Sequence, residues 1–177
     1  TVGLLCTELL GNGESRHDRT AVDGVEFYFV GYLERITQSF GDIGEDGVHL
    51  GGCLHPFLLG VAHTLGGLYG TPHGLANAVI LPYVMEHFGP AVYFKLARLA
   101  EAVGINGKDD EEKAKAFIRE IKRMNADMKI QNKFDFIQDK DIPQMIKWAM
   151  KEANPIYPVP VLWHEPEFTA LIQDIRA

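Results

Sequence analysis

Apolar residues recur at three- and four-residue steps along most of this chain, and few stretches alternate between apolar and polar residues. That period is the one an amphipathic α-helix requires. The chain of 177 residues is 46% hydrophobic, which is enough for one core of ordinary size. The sequence therefore predicts an all-α fold of six to eight helices, forming a single orthogonal or bundle-like domain over residues 1–177.

Capping residues and prolines mark where the helices begin and end. Asp109 precedes a run of acids that suits the positive end of a helix, and Asp141 precedes a first-turn proline at Pro143. The proline-rich tail cannot continue a helix and is expected to lie across the bundle, held by Tyr157 and Trp163. The predicted helices cover residues 22–40, 56–65, 73–88, 91–103, 110–128 and 142–154, with a last helix from Glu165 and a loop at 41–51.

Two histidines, His63 and His73, stand around a glycine-broken turn in HTLGGLYGTPHGLAN. The first helix is expected to stop at the glycine pair 66–67, and Thr71 is expected to cap the next helix. Neutral imidazole binds Zn, Fe, Cu and Ni, so the pair is a candidate fragment of a metal site. The alternative is that both are hydrogen-bonded structural residues, which is the more common role of a histidine near an apolar helix.

The longer segment HTLGGLYGTPHGLANAVILPYVMEHF resembles the second metal-binding segment of the iron-containing alcohol dehydrogenases. Further on, PAVYFKLARLAEAVGI and DIPQMIKWAMKEANPIYPVPVLW are similar to that family's closing helices and tail, so the resemblance spans residues 60–172. It implies the all-helical C-terminal domain of such an enzyme. The family's NAD(P) is held chiefly by an N-terminal nucleotide-binding domain. This chain has no GxGxxG after a strand and no GxxxxGKS/T, so the chain alone is not expected to bind the cofactor.

The resemblance also implies four metal ligands, of which His73 in TPHG is plainly present. A second ligand histidine belongs one helical turn before His63, where this chain has Leu59. The other two are an Asp and a His one turn apart, and the similarity of RTAVDGVEFY to the family places Arg19 and Asp23 there. Leucine cannot coordinate a metal and arginine repels one, so the expected set falls to His73 and Asp23.

A replacement site would use His73, Asp23 and either His63 or His55, and His55 lies one turn before Leu59. Pro56 argues against it, because proline tends to begin a helix and His55 would then lie at or outside the first turn. His63 is the candidate catalytic residue, and His73, Asp23 and His55 are the candidate metal ligands. Iron or zinc is expected to bind weakly or not at all.

A formal net charge of −7 argues against binding to nucleic acid or to an anionic membrane, both of which favour a basic surface. No window approaches the length of an apolar membrane span, and the first residues lack a basic leader, so neither a span nor a secretory signal is predicted. Cys6 and Cys53 are expected to be reduced packing residues. The expected location is the cytoplasm.

Three functions are compatible with these residues. The first is a helical domain of iron-containing alcohol dehydrogenase descent that is catalytically incomplete by itself. The second is the substrate half of a working oxidoreductase whose nucleotide-binding domain is on a separate chain or was removed. The third is a small-molecule binding module that keeps the old interdomain cleft. A domain without its neighbour is expected to expose an apolar face around Phe57, Leu59, Leu68 and Tyr69, covered by a second copy or by a nucleotide-binding partner chain.

Overall fold

The computed structural model describes the backbone of residues 45–153 and 160–177, and the side chains of residues 57–153 and 160–177. Within these ranges the chain forms α-helices, one short 3-10 helix and no β-strand, which confirms the all-α prediction. None of the described helices is both long and apolar enough to cross a membrane. The predicted helix at 22–40, Cys6 and Tyr157 lie outside the described residues. The helices are α1 (Glu45–Tyr69), α2 (His73–Phe88), α3 (Pro90–Ala102), α4 (Asp110–Asp127), α5 (Ile142–Ala153) and α6 (Glu165–Ile175), and the 3-10 helix (Asp139–Asp141) directly precedes α5.

Helix α1 is longer at both ends than its sequence pattern predicts. It begins at Glu45, inside the predicted loop at 41–51, and it continues through the glycine pair 66–67 to Tyr69. A glycine costs a helix interior about 1 kcal/mol relative to alanine. Propagation from an already formed, buried central segment outweighs that cost. The helix ends at Gly70, whose φ of 66° is a left-handed conformation that glycine adopts without strain.

The other helix boundaries follow the predicted caps. Helix α2 spans its predicted residues, and α3 and α4 agree with the prediction to within one residue at each end. Asp109 is the N-cap of α4, and its Oδ1 accepts the N–H of Glu112 at 2.8 Å. Helix α5 begins at Ile142 as expected, although Asp141 itself belongs to the 3-10 helix.

The second half of α1 lies at the centre of the fold and packs along both α5 and α2, while α3 pairs with α4, and α6 contacts α2 and α5. Phe57 on α1 is fully buried among aromatic rings. Its ring meets Phe88 and Trp163 edge-on and stacks with Phe168. The prediction that Phe57 belongs to an exposed apolar face is therefore wrong, because this residue forms part of the aromatic core.

The other residues of the expected apolar face are only partly exposed. Leu68 and Tyr69 pack against the core, and Leu59 is half-buried on α1. Trp163, in the segment before α6, is 2% exposed and stacks against Phe88 with ring centroids 4.7 Å apart. The predicted anchoring role of Trp163 is confirmed, since its ring joins the segment before α6 to the core.

Candidate functional site

The turn between α1 and α2 brings His63 and His73 together. Their rings stack with centroids 5.1 Å apart and planes inclined at 23°. His63 lies in the second-last turn of α1, and His73 is the first residue of α2. The structure thus places the candidate catalytic residue face to face with a candidate metal ligand.

The turn itself does not have the predicted cap. Helix α2 begins at His73 with Pro72 as its N-cap residue, and none of the described side chains caps it. Thr71, the predicted cap, is buried, and its Oγ1 has no hydrogen-bond partner among the described residues. A capping side chain must stand directly before the first helical residue. Because Pro72 takes that position, the hydroxyl of Thr71 lies one residue too early.

Glu152, in the last turn of α5, is the residue at this site that the sequence did not reveal. His63 Nδ1 lies 2.6 Å from Glu152 Oε1. A carboxylate oxygen can only accept a hydrogen bond, so the imidazole donates through Nδ1. The two residues are 89 positions apart in the chain, and no pattern in the sequence connects them. The contact follows from the packing of α1 on α5.

A close approach between α1 and α5 sets the relative positions of these two side chains. A β-carbon added to Gly60 would stand 3.1 Å from the carbonyl oxygen of Ala149, so the backbones of the two helices are in contact there. His63 follows Gly60 by one helical turn, and Glu152 follows Ala149 by the same spacing. The absence of a side chain at Gly60 therefore allows the imidazole and the carboxylate to meet.

His63 and Glu152 form part of an open groove between α1 and α5, with a volume of ≈ 440 Å³. Thr64, Trp148 and Lys151 complete its lining. The indole of Trp148 is 43% exposed and provides an apolar wall, while the ammonium of Lys151 contributes positive charge. A groove of this size and mixed lining suits a small molecule with a hydroxyl or carbonyl group and a short apolar part.

The described residues do not make a metal site. Leu59 lies one turn before His63, where the family resemblance requires a ligand histidine, and its side chain offers no donor atom. Nδ1 of His63 is already bonded to Glu152. Across the described side chains, no group of three or more His, Cys, Asp or Glu residues is arranged to hold a metal ion. Iron or zinc therefore does not fit this set of residues.

The remaining ligand candidates lie outside the described side chains. Arg19 and Asp23 precede the described residues, and His55 lies within α1 without a described side chain. The backbone nevertheless corrects one expectation, because α1 begins at Glu45 rather than at Pro56. A proline inside a helix removes one backbone hydrogen bond. The other backbone bonds of this 25-residue helix keep it continuous through Pro56. His55 is therefore in a helix interior and not at a helix start.

Tyr69, the last residue of α1, joins the end of that helix to the start of α5. Its hydroxyl donates to Asp141 Oδ2 at 2.8 Å and accepts the N–H of Gln138 at 3.2 Å. Burial raises the pKa of Tyr69; the bond from Gln138 lowers it, and the Asp141 carboxylate raises it further. Tyr69 is thus a structural connection on the other side of the turn, which is a different role from the expected exposed face.

Comparison with known protein families shows which kind of protein this is. The model of the Fe-containing alcohol dehydrogenase family, C-terminal part, matches residues 48–175. The chain belongs to this family. The enzymes of the Fe-containing alcohol dehydrogenase family depend on Fe and NAD(P).

Known members of the family are similar to this chain over part of their length. The 1,3-propanediol dehydrogenase of Citrobacter freundii is 41% identical over 98 residues, which are 53% of this chain and 25% of the relative. The 1,3-propanediol dehydrogenase of Klebsiella pneumoniae is 37% identical over 117 residues, which are 64% of this chain and 30% of the relative. A crystal structure of 1,3-propanediol oxidoreductase, 33% identical, matches with a TM-score of 0.59 and covers 66% of this chain and 31% of its own. This Fe-containing alcohol dehydrogenase family chain thus spans less than a third of these relatives and corresponds to the family's C-terminal part.

Proposed function

We propose that this chain forms the substrate-side helical part of an alcohol dehydrogenase of the Fe-containing family. In this proposal the chain holds Fe or Zn only weakly, and its residues do not oxidise an alcohol by themselves. One combination at the site carries the proposal. A groove with His63 in contact with Glu152 is present, while Leu59 stands one turn before His63, where the family resemblance requires a ligand. The residues present therefore support binding of a small alcohol better than its oxidation.

The chemistry of the described residues agrees with a binding role. Oxidation of an alcohol would need a metal to polarise its oxygen and a nicotinamide to accept the hydride. The groove has an imidazole and a carboxylate for hydrogen bonds, and the indole of Trp148 for apolar contact. These groups bind and orient a small molecule, and they do not replace a Lewis acid or a hydride acceptor.

A second candidate is the substrate half of a working oxidoreductase whose nucleotide-binding domain is on another chain. The ordered contact of 2.6 Å between His63 and Glu152 favours it, because such a contact orients the imidazole towards a substrate in the groove. In that case a nucleotide-binding partner chain or a second copy would cover the groove in the cytoplasm. Light scattering of the purified chain measures self-association, and co-purification of a dehydrogenase activity would favour this second candidate.

Elemental analysis of the purified chain tests the weak-metal part of the proposal. After dialysis without added metal, the sum of Fe and Zn is expected to be well below one ion per chain. A stoichiometric ion that survives dialysis would overturn the proposal, and His73→Ala would then show whether His73 holds it. Assays with 1,3-propanediol and NAD⁺ or NADP⁺ are expected to show no reduced nicotinamide.

Restoring the ligand set tests the assignment of the lost positions. The combined variant Arg19→Asp, Asp23→His and Leu59→His is expected to gain affinity for Co²⁺, which can be followed by its absorption spectrum. The matched control keeps the first two changes and replaces Leu59→His by Leu68→His, which adds an imidazole to the same helix at another position. A gain only in the first variant supports the assignment, whereas equal affinity in both variants contradicts it.

A further inference from the structure

The imidazole of His63 contacts two side chains and is exposed to the groove on its remaining side. Glu152 bonds its Nδ1 edge at 2.6 Å, and the ring of His73 covers one face. The side chain is still 52% exposed, at the groove. Because Nδ1 must carry the donated proton, the neutral ring keeps Nε2 as its acceptor. Among the described residues, none forms a hydrogen bond with Nε2 of His63.

We propose that Glu152 is a positioning residue that fixes the tautomer of His63, so that Nε2 accepts a hydrogen bond from the hydroxyl of a short primary alcohol bound in the groove. The proposal rests on the function proposed above and adds the tautomer of His63 and the ring nitrogen that meets the ligand. The exposed indole of Trp148 lines the same groove and offers an apolar wall to the carbon chain. The ligand class thus follows from one acceptor nitrogen next to an aromatic surface.

The support of Glu152 by its helix distinguishes this contact from an incidental surface ion pair. Its neighbour Ala153 is fully buried, and Ala149, one turn earlier, is in backbone contact with Gly60. The carboxylate is therefore carried by a helix whose distance from α1 is fixed. An exposed pair contributes little to stability. The effect of Glu152 is expected in the tautomer of His63 and not in the stability of the fold.

Nitrogen NMR of the ¹⁵N-histidine-labelled chain, recorded above the ordinary pKa range of imidazole, reads the tautomer directly. The wild-type chain is expected to show His63 with its proton on Nδ1. In Glu152→Gln the amide can donate or accept, so the tautomer ratio is expected to shift by about tenfold towards the proton on Nε2. An unchanged tautomer in Glu152→Gln would overturn the proposal. Unfolding midpoints of both proteins, measured in urea, are expected to agree closely.

Asp174→Asn provides a matched control, since Asp174 Oδ2 lies 2.8 Å from Nε2 of His87 in another exposed histidine–carboxylate pair. This variant is expected to leave the tautomer of His63 unchanged. If it shifts His63 as much as Glu152→Gln does, the effect is not specific to the groove and the positioning role is wrong.

The ligand class is tested by titration with 1-propanol, followed through the Nε2 resonance of His63 and the fluorescence of Trp148. Saturable shifts of both signals, with several-fold weaker binding in Glu152→Gln, support the proposal. A tautomer that depends on Glu152 without any saturable shift overturns the alcohol-binding part. The metal content measured on the same preparation tests the proposed function separately, so the two failures can be told apart.

Discussion

The carbonyl oxygen of Ala149 lies 3.1 Å from the point where a β-carbon on Gly60 would stand, so α1 and α5 meet backbone to backbone. Ala149 is itself fully buried. One turn further along the two helices stand His63 and Glu152, with their side chains in contact. The geometry of the groove therefore depends on Gly60, because glycine has no side chain to separate the two helices.

Gly60→Ala is expected to destabilise the fold by about 1 kcal/mol. Alanine gains about 1 kcal/mol over glycine in a helix interior. Overpacking against an interior neighbour costs roughly 1–3 kcal/mol. The neighbour here is the backbone of a helix, which cannot turn aside as a flexible side chain would. The free energy of unfolding in urea measures the net effect, and the tautomer of His63 reports whether its contact with Glu152 is loosened.

Gly67→Ala is the matched control on the same helix. No atom of the described residues lies within 4 Å of a β-carbon at Gly67, so only the gain in helix propensity remains. This variant is expected to raise the free energy of unfolding by up to about 1 kcal/mol. If both variants stabilise the chain, the close approach of α1 and α5 at Gly60 is not present in solution.

Helix type and most helix ends were predictable because they depend on neighbours in the sequence. Asp109 caps α4 through a bond to a residue three positions away, and α2 is apolar nearly all round from just after Pro72 to just before Gly89. The extent of α1 was not predictable in the same way. The glycine pair 66–67 predicts the end of the helix, yet the packed turns on either side keep the helix continuous to Tyr69. Tertiary packing outweighed local propensity there.

The site was predictable only where its residues are close in the chain. His63 and His73 flank one turn, so their proximity follows from the sequence. Glu152 reaches His63 through helix packing over a long sequence separation, for which a single sequence has no local signal. The expected exposure of Phe57 failed for the same reason, since its burial depends on distant aromatic residues.

The two tryptophans are expected to differ strongly in their effect on stability. Trp163 is 2% exposed and packs against three phenylalanine rings, so Trp163→Ala is expected to cost about 3–5 kcal/mol. Trp148 is 43% exposed, and Trp148→Ala is expected to change stability by less than about 0.5 kcal/mol. Thermal and urea unfolding measure both effects. The fluorescence that remains in Trp148→Ala comes from Trp163 and should be that of a buried indole. Equal losses of stability in the two variants would contradict the anchoring role of Trp163.

Asp109→Ala is expected to lower the free energy of unfolding by about 1 kcal/mol, because it removes the bond from Asp109 to the Glu112 N–H. Asp110→Ala is the control. Asp110 lies in the first turn and interacts with the helix dipole without being the cap, so a smaller loss of about 0.3 kcal/mol is expected. A larger loss for Asp110→Ala than for Asp109→Ala would mean that dipole interactions, and not the cap, stabilise the start of α4.

Glu167 makes the stability of the chain depend on pH in the acid range. Its Oε2 accepts the N–H of His164 at 2.8 Å, and bonds from the backbone N–H groups of His164 and Glu167 lower the pKa of the Glu167 carboxyl. A carboxyl whose pKa is lower in the folded chain contributes stability above its unfolded pKa of about 4.3, and that contribution is lost as the pH falls through the folded value. Glu167→Gln is therefore expected to be less stable than the wild-type chain at pH 7, with a difference that shrinks below about pH 4. Urea unfolding at pH 7, 4 and 3 measures this, with Glu165→Gln in the same helical turn as the control. A difference that stays constant over this range would show that the backbone bonds to Glu167 do not favour its charged form.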